Sequence, residues 1–380
     1  MSPTAARGGA RRGAGALGEG PRGLDQEGTD GPAPATGLTV AVTGPTGTFG
    51  SGLIPLLQDD DRIDRVIGIA RSPFDPAARG WTKMQYRQGD VRDPAALEEA
   101  FRGADVVVHL AFLITGSASR ETIRAINVDG TLNVFRAAAA AGARRFVYAS
   151  SVAAYGFHDD NPVRITEDWP VRAAARLFYA QEKAQLEHLL AEEAEKTPDL
   201  ALYLLRPPIV LGPNAVGGKD VLPGPLAPLG RRLFGRPRRL PLPLPVLVPE
   251  IPLQFVHEKD VGQALVRCVV TAGPPGAYNI AGDGILTAAD VAREFGAAPV
   301  RVPAGPAQAA ARAFTRLPFL PPAAEWVEAF TRPSLMDTTR ARQQLGWRPE
   351  FTGLEALRAT LREDSPADDD SRADQTAPED

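Results

Sequence analysis

The chain has 380 residues, of which 44% are hydrophobic and 23% are charged, so it can form a large α/β unit and a smaller lobe. A net charge of −4 gives no basic surface for nucleic acid, and the single cysteine, Cys268, excludes an internal disulfide framework. No zinc-ligand spacing is present, so we expect no metal. The sequence contains no run of roughly 18 consecutive apolar residues, which a membrane-spanning helix would need, so we expect no membrane span. The low cysteine content fits a reducing compartment, and we expect a cytoplasmic protein.

Both ends of the chain are expected to be disordered tails. Residues 1–36 are rich in Gly, Ala, Pro and Arg and lack the apolar run of a signal peptide. Residues 363–380 carry eight acidic side chains and one Arg, with almost no apolar surface to bury. Neither segment has enough apolar surface for its burial to offset the conformational entropy that ordering the chain would cost.

Between the tails, short apolar strands alternate with helices. Apolar runs predict strands at 38–42, 65–70, 105–110, 145–150 and 200–205, with a further strand ending near Asp90. Helical segments are predicted at 48–58, 94–101, 121–141 and 176–195. Uniformly apolar strands are covered on both faces, so the alternation predicts an α/β fold with a doubly wound parallel sheet.

A glycine-rich loop, residues 43–50, lies between the first strand and the first helix. Three glycines at this position allow a tight turn, close approach of the backbone to a pyrophosphate, and close packing of helix on strand. The free N–H groups of the helix terminus then favour the anion. The candidate cofactor-binding residues of the loop are Gly44, Thr46, Gly47, Thr48, Phe49 and Gly50.

The end of the second strand predicts which cofactor is preferred. Dinucleotide folds usually place an acidic residue there to bind the adenosine ribose, whereas this chain has Ala70 followed by Arg71. Without the carboxylate, Arg71 can pair with a 2′-phosphate, which favours NADP over NAD. Asp90 and Val91 stand where an adenine amino group would be recognised, although a solvated Asp90 beside an N-cap Asp93 explains the same residues.

Tyr179 and Lys183 are the candidate catalytic pair. Four residues apart on one helix, they share a face, and a nearby ammonium favours the phenolate form of Tyr179. This predicts a general acid/base that works near neutral pH. Ser151 follows the strand at 145–150, on the carboxyl edge where such sheets bind ligands, and it is preferred over Ser150 as the hydroxyl that contacts substrate.

These motifs together resemble the extended short-chain dehydrogenase/reductase superfamily, in particular the NAD(P)-dependent epimerase/dehydratase group. The resemblance extends over about residues 38–361. The stretches that carry it are 43–50, 89–93, 109–111, 127–131, 150–156, 179–183, 205–213, 255–261 and 345–349. The resemblance implies a Rossmann NAD(P)-binding domain at 37–211 with 253–282 returning to it, and a smaller C-terminal substrate-binding lobe made of 212–252 and 283–362.

The resemblance also implies residue roles. Tyr179 would be the acid/base, Lys183 would lower its pKa and hold the nicotinamide ribose, and Ser151 would orient the substrate. Asn127 would belong to the helix behind the site. The cofactor groove would further include Leu110, Ala111, Pro207, Ile209 and Val210. The helices at 121–141 and 176–195 form a homodimer interface in many relatives, so a homodimer is implied.

Two departures from the group affect the expected activity. Dehydratases carry an Asp-Glu pair beside the catalytic Ser or Thr, whereas Val152 and Ala153 stand here, which disfavours dehydration. The segment 240–249 is unusually apolar for a nucleotide-sugar site. Five arginines between 231 and 239 can bind a diphosphate or simply form a basic loop face, and both interpretations remain open.

The sequence therefore predicts an NAD(P)-dependent oxidoreductase or epimerase acting on an alcohol or keto group of a small molecule, such as a nucleotide sugar. One alternative is an NADPH-dependent carbonyl reductase or hydroxysteroid-dehydrogenase-like enzyme with an apolar substrate. Another is a non-catalytic NAD(P)-sensing regulator, which is disfavoured because Tyr179 and Lys183 are both present. His109 and His257 are interpreted as packed core residues, and Cys268 as a buried hydrophobe.

Overall fold

The computed structural model describes residues 37–114, 118–215, 245–270, 273–303, 305, 329, 332 and 334–362. The predictions for both tails lie outside these residues. The same holds for the arginines between 231 and 239 and for the first half, residues 240–244, of the apolar segment 240–249.

Strands and helices alternate along the described chain. The strands are β1 (Leu38–Thr43), β2 (Ile63–Ala70), β3 (Met84–Gln88), β4 (Val106–His109), β5 (Arg145–Ala149), β6 (Ala201–Arg206), β7 (Ile209–Leu211), β8 (Pro245–Pro249), β9 (Pro252–Leu253), β10 (Phe255–His257), β11 (Gly276–Asn279), β12 (Leu286–Thr287) and β13 (Ala298–Val302). The helices are α1 (Thr48–Asp59), α2 (Pro94–Ala100), α3 (Arg120–Arg124), α4 (Gly130–Ala140), α5 (Phe178–Lys196), α6 (Glu258–Val270), α7 (Ala288–Glu294), α8 (Thr339–Gln344) and α9 (Gly353–Arg362).

The central sheet of the described residues has seven parallel strands in the order β11-β6-β5-β4-β1-β2-β3. From β1 the chain winds to β2 and β3 on one side, and then returns to β4, β5 and β6 on the other. The strand order therefore reverses between β1 and β4, which creates a crevice at the carboxyl ends of these two strands. The predicted doubly wound α/β fold is confirmed. The boundaries predicted for the two lobes stay a prediction.

Hydrophobic side chains cover both faces of the sheet. Along β1, Val40 and Val42 belong to one buried cluster and Ala41 to another, because successive side chains of a strand point to opposite faces. The first cluster includes Leu53 of α1 and Leu265 of α6. The second cluster joins the sheet to α2, α4 and α5. This two-sided burial is the reason why the strands lack a polar face.

Two glycines allow α1 and α6 to cross in direct backbone contact. A Cβ atom on Gly52 would lie 2.2 Å from the carbonyl oxygen of Glu258, and one on Gly262 would lie 2.1 Å from the carbonyl oxygen of Gly52. Real Cβ atoms do not approach backbone so closely, so any side chain at either position would separate the helices. The crossing brings a late segment of the chain against its first helix.

The helix predicted at 121–141 is interrupted. The chain forms α3, then a π-helical turn at Ala125–Asp129, and then α4. Apolar side chains of the turn, Ile126 and Val128, remain in the core, so the hydrophobic pattern continues through the interruption. Single π-turns inside helices often occur at functional sites, and this one carries Asn127.

The stretches 255–261 and 345–349, which carry part of the family resemblance, contribute hydrogen bonds and ring packing to the fold. Asp260 accepts hydrogen bonds from the backbone N–H groups of Glu350 and Phe351, at 2.8 and 3.2 Å, and burial raises its pKa to about 6. The indole N–H of Trp347 donates to the backbone carbonyl of Asp260. The ring of His257 stacks on Phe351 with centroids 4.0 Å apart, in agreement with its interpretation as a packing residue.

The thiol of Cys268 is expected to report on unfolding. The side chain is fully buried in the core of α6, and burial raises its pKa well above the usual thiol value. Only a thiolate reacts quickly with disulfide reagents, so the native protein should not react with dithionitrobenzoate, and reaction should follow the unfolding transition. Rapid reaction of the native protein would show that the core around α6 opens locally.

No helix of the described segments is long and apolar enough to cross a membrane. Within the same residues, no group of three or more His, Cys, Asp or Glu side chains is arranged to hold a metal ion.

Candidate active site

The glycine-rich loop forms a cradle at the carboxyl end of β1. Gly44 has φ of +70°, and a Cβ atom there would lie 2.9 Å from the backbone nitrogen of Ala111, so the loop packs directly on the chain after β4. A Cβ atom on Gly50 would lie 2.0 Å from the carbonyl oxygen of Pro45, which keeps the helix tight against the loop. Both positions therefore require glycine for close backbone packing.

The start of α1 is suited to bind an anion. Gly47 is its N-cap residue, and the first turn carries no acidic side chain. A Cβ atom on Gly47 would meet only the carbonyl oxygen of Gly44, at 3.6 Å. Thr46 and Gly47 are exposed, whereas Thr48 and Phe49 are half-buried. The terminal N–H groups and the helix dipole would hold a pyrophosphate here, as the sequence predicts.

Arg71 lies exposed directly after β2, next to Ala70. The carboxylate nearby on the neighbouring strand end, Asp90, is paired with Arg92 at 2.6 Å, and this ion pair lowers the pKa of Asp90. Asp93 caps α2 by accepting from the backbone N–H of Ala96, as the alternative interpretation of this stretch expected.

Val91 belongs to the core rather than to an exposed surface. Its side chain is 7% exposed and packs in the cluster beneath β4 and α4. A Cβ atom on Gly130 would lie 2.6 Å from Val91 Cγ2, so the glycine admits this side chain. The backbone carbonyl of Val91 accepts from the side chain of Asn133.

Ser150 and Ser151 have different surroundings. The hydroxyl of Ser150 donates to Glu187 in the buried interior. Ser151 begins the 3₁₀ turn Val152–Tyr155, accepts from the backbone N–H of Ala153 at 3.2 Å, and is hydrogen-bonded to Tyr179. The structure thus brings Ser151 and not Ser150 to the phenol, and the predicted contact of Ser151 with substrate stays a prediction.

Tyr179 lies half-buried in the first turn of α5. Burial raises the pKa of its phenol to about 12, while the hydrogen bond with Ser151 acts in the opposite direction. The sequence argument expected Lys183 to lower this pKa. In the structure the net effect is upward, because burial outweighs the Ser151 hydrogen bond. Nζ of Lys183 lies 5.8 Å from the Tyr179 ring centroid. The phenol is therefore protonated at neutral pH and can act as an acid.

Nζ of Lys183 is held from two sides. It donates to the hydroxyl of Tyr148 at 2.9 Å and to the carbonyl oxygen of Ala149 at 2.8 Å. On the other side, it lies 3.6 Å from the centroid of the Phe112 ring, a cation–π distance. Phe112 also meets Tyr179 edge-on at 5.6 Å. Burial lowers the pKa of Lys183 to about 7, so the amine titrates near neutral pH.

The chain after β4 is fixed by the π-turn. The side chain of Asn127 accepts from the backbone N–H of Leu113 at 2.8 Å and donates to its carbonyl at 2.9 Å. It also donates to Glu182, whose second carboxylate oxygen is buried without a hydrogen-bond partner among the described residues. Leu110 and Ala111, which are predicted to line the cofactor groove, lie shortly before Leu113 in the chain. The hydrogen bonds from Asn127 to Leu113 therefore help to fix the backbone that follows them.

His109 is a satisfied core residue, as interpreted from sequence. Its ring nitrogens pair with the hydroxyls of Thr43 at 2.6 Å and Thr131 at 2.8 Å. Burial lowers its pKa to about 3, so the imidazole is neutral. The pairing ties the end of β1, where the glycine-rich loop starts, to α4.

A buried ion pair lies beneath the site, and sequence reasoning missed it. Arg206, at the end of β6, donates to both carboxylate oxygens of Glu187 on α5. Arg206 also donates to the hydroxyl of Tyr155 at 2.7 Å, which in turn donates to the Asn279 side chain at 2.8 Å. With Ser150, this network joins β5, β6, β11 and α5. The position of Glu187, four residues after Lys183 on the same helix face, was the available sequence signal.

The remaining predicted groove residues follow β6. Pro207 is buried, and its carbonyl accepts from the backbone N–H of Val152 at 2.9 Å. Ile209 is 38% exposed although it is large and apolar, and Val210 is half-buried. Their contact with a cofactor stays a prediction.

Two known proteins illustrate the sequences to which this chain is similar. An uncharacterised protein of Mycobacterium tuberculosis is 30% identical over 329 residues, which cover 84% of this chain and 82% of that protein. The ceramide reductase of Caulobacter vibrioides is 31% identical over 227 residues, or 60% of this chain and 59% of its own length.

Solved structures share the fold. The epimerase Mth375 of Methanothermobacter thermautotrophicus has a TM-score of 0.66 at 22% identity, covering 86% of this chain and 92% of its own. The dTDP-glucose 4,6-dehydratase of Streptomyces venezuelae, solved with NAD and TYD bound, has a TM-score of 0.64 at 23% identity, covering 86% and 96%. Residues 40–281, which span the glycine-rich loop, the Ser151–Tyr179–Lys183 cluster and β11, match the family model. The chain therefore belongs to the NAD dependent epimerase/dehydratase family.

Proposed function

We propose that this protein is an NAD(P)-dependent oxidoreductase that acts on an alcohol or keto group of a small molecule, with Tyr179 as the acid/base. The proposal rests on one observation: a protonated phenol, hydrogen-bonded to Ser151, lies beside Lys183 at the end of the crevice that begins at the glycine-rich loop. The loop fits a dinucleotide because Gly44 and Gly50 allow it to pack tightly on the fold, while exposed Gly47 leaves the start of α1 open to a pyrophosphate.

The chain's own residues provide the proton chemistry. When bound, the nicotinamide supplies or accepts a hydride. Ser151 would hold the substrate oxygen by a hydrogen bond, and Tyr179 would give its phenol proton to that oxygen during reduction and take it back during oxidation. Lys183 would bind the nicotinamide ribose. Val152 and Ala153 offer no acid or base, so dehydration is not part of the proposal.

Substrate screening tests the activity. Purified protein is incubated with panels of apolar ketones and alcohols and with nucleotide sugars, while nicotinamide absorbance is followed. The ceramide reductase relative supports including long-chain substrates. Nicotinamide turnover with at least one panel member is the expected result. Tight cofactor binding without turnover across all panels would instead favour the non-catalytic sensor.

We further propose that NADP(H) is preferred over NAD(H). Ala70 offers no carboxylate to the adenosine ribose, and exposed Arg71 can meet a 2′-phosphate. A charge-assisted hydrogen bond contributes roughly 1.5–3 kcal/mol, so we expect NADP(H) to bind roughly ten-fold tighter or more. Arg71→Ala should remove this preference, and Ala70→Asp combined with Arg71→Ala should reverse it.

Cofactor titrations decide this point. Both cofactors are titrated against the parent and the two variants, with Arg79→Ala as the matched control, since Arg79 is an exposed arginine eight residues further along. The control should keep the parental preference. Equal binding of NAD and NADP by the parent would show that Arg71 is only a solvated charge.

A further inference from the structure

Tyr148 is a fully buried phenol that lies against the candidate catalytic lysine. It is 1% exposed, and its ring stacks on that of His109 with centroids 5.8 Å apart. Its hydroxyl meets Nζ of Lys183 at 2.9 Å. A hydroxyl buried in the core is costly unless it is hydrogen-bonded, so this contact accounts for a polar group in the middle of a sheet.

Two neighbouring residues of one strand end set the direction of Nζ. The hydroxyl of Tyr148 and the carbonyl oxygen of Ala149 both accept from it, while the Phe112 ring covers its other side. The lysine side chain is a flexible four-carbon stem. A single acceptor would allow Nζ to rotate about that bond, whereas two acceptors fix its position.

We propose that Tyr148 is a positioning residue, which holds the Lys183 ammonium where it can bind the nicotinamide ribose. The proposal rests on the ribose-binding role of Lys183 proposed above. With a side chain that is 1% exposed, Tyr148 would act through Lys183 rather than by touching substrate or cofactor.

The electrostatic surroundings give the proposal a distinctive signature. The titratable groups that face Lys183 are Glu182, Glu187, Tyr148, Tyr179 and His109. The two carboxylates favour the charged amine, whereas burial opposes it. The Tyr148 hydroxyl oxygen accepts a hydrogen bond from Nζ and so also favours the charged form of Lys183. Removal of this hydroxyl should therefore lower the pKa of Lys183. A merely structural phenol would leave this titration unchanged.

A double-mutant cycle tests the coupling. NADPH is titrated by its fluorescence over a range of pH against the parent, Tyr148→Phe, Lys183→Met and the double variant. Tyr148→Phe should weaken binding by roughly ten-fold, the effect of one hydrogen bond to a charged group, and should move the pH midpoint of binding downward. In the Lys183→Met background, the same change should have no further effect.

Tyr203→Phe is the matched control, because its hydroxyl is also buried in the sheet but donates to the Gly273 carbonyl at 2.7 Å. It should leave NADPH binding and its pH midpoint unchanged. Equal weakening by Tyr148→Phe in both backgrounds, or an unmoved midpoint, would overturn the role of Tyr148 alone. Parental binding by Lys183→Met would overturn the ribose role of Lys183 and with it the present proposal.

Discussion

Replacing Tyr179 by phenylalanine is expected to reduce turnover by orders of magnitude and to leave cofactor binding nearly intact. Only the phenolic oxygen is lost, so the ring still meets Phe112, whereas the proton donor beside Ser151 is removed. General acid/base groups typically contribute 10²–10⁴-fold to rate, so activity should fall by about that factor. Steady-state kinetics and cofactor titration measure the two effects separately.

The matched control is Tyr278→Phe, since the Tyr278 hydroxyl donates to the Pro274 carbonyl, on the far edge strand β11. Its turnover should stay close to parental. Lys183→Ala should impair both turnover and cofactor binding, because the ribose contact would be lost as well. Unimpaired turnover of the Tyr179→Phe variant would rule out the proposed acid/base.

The largest stability effect is expected at the buried ion pair of Glu187 and Arg206. Their side chains are 4% and 5% exposed, so removing one partner leaves the other charged and desolvated. Breaking a buried pair in this way costs roughly 3–5 kcal/mol. We therefore expect Arg206→Met to lower the free energy of unfolding by about that amount in urea denaturation.

Two further variants test the cause of this loss. Glu187→Leu combined with Arg206→Met removes both charges and should recover much of the stability, because no unpaired charge remains. Arg136→Met breaks a pair with Glu193 in which the arginine is 58% exposed, and it should cost less than about 1 kcal/mol. A double variant no more stable than Arg206→Met would show that packing, and not charge, is what the pair provides.

Sequence reasoning predicted the features that depend on local pattern. The apolar runs of the sheet, the glycine-rich loop and the spacing of Tyr179 and Lys183 are each set by neighbours within one element. The two serines after β5 differ in their partners, since Ser150 bonds to Glu187 and Ser151 to Tyr179. The role of Ser151 toward substrate stays a prediction.

The features that sequence reasoning missed depend on contacts between distant elements. The π-turn at Ala125–Asp129 leaves the apolar period intact, and the hydrogen bonds that join its Asn127 to Leu113 link residues of different elements. The direction of Nζ in Lys183 is set by β5 and by Phe112 rather than by its own helix. Helical spacing alone places Lys183 beside Tyr179, but only tertiary packing decides which neighbour its ammonium meets.

The glycine crossing of α1 and α6 has a consequence for synthesis on the ribosome. The apolar side chains Leu53, Ile54 and Leu57 of α1 lie in a core completed by α6, which begins only at Glu258. At about 5–20 residues per second, roughly 10–40 seconds separate the emergence of these two helices. During that interval the sheet covers α1 from one side only, so we expect this protein to expose apolar surface to chaperones until α6 has been translated.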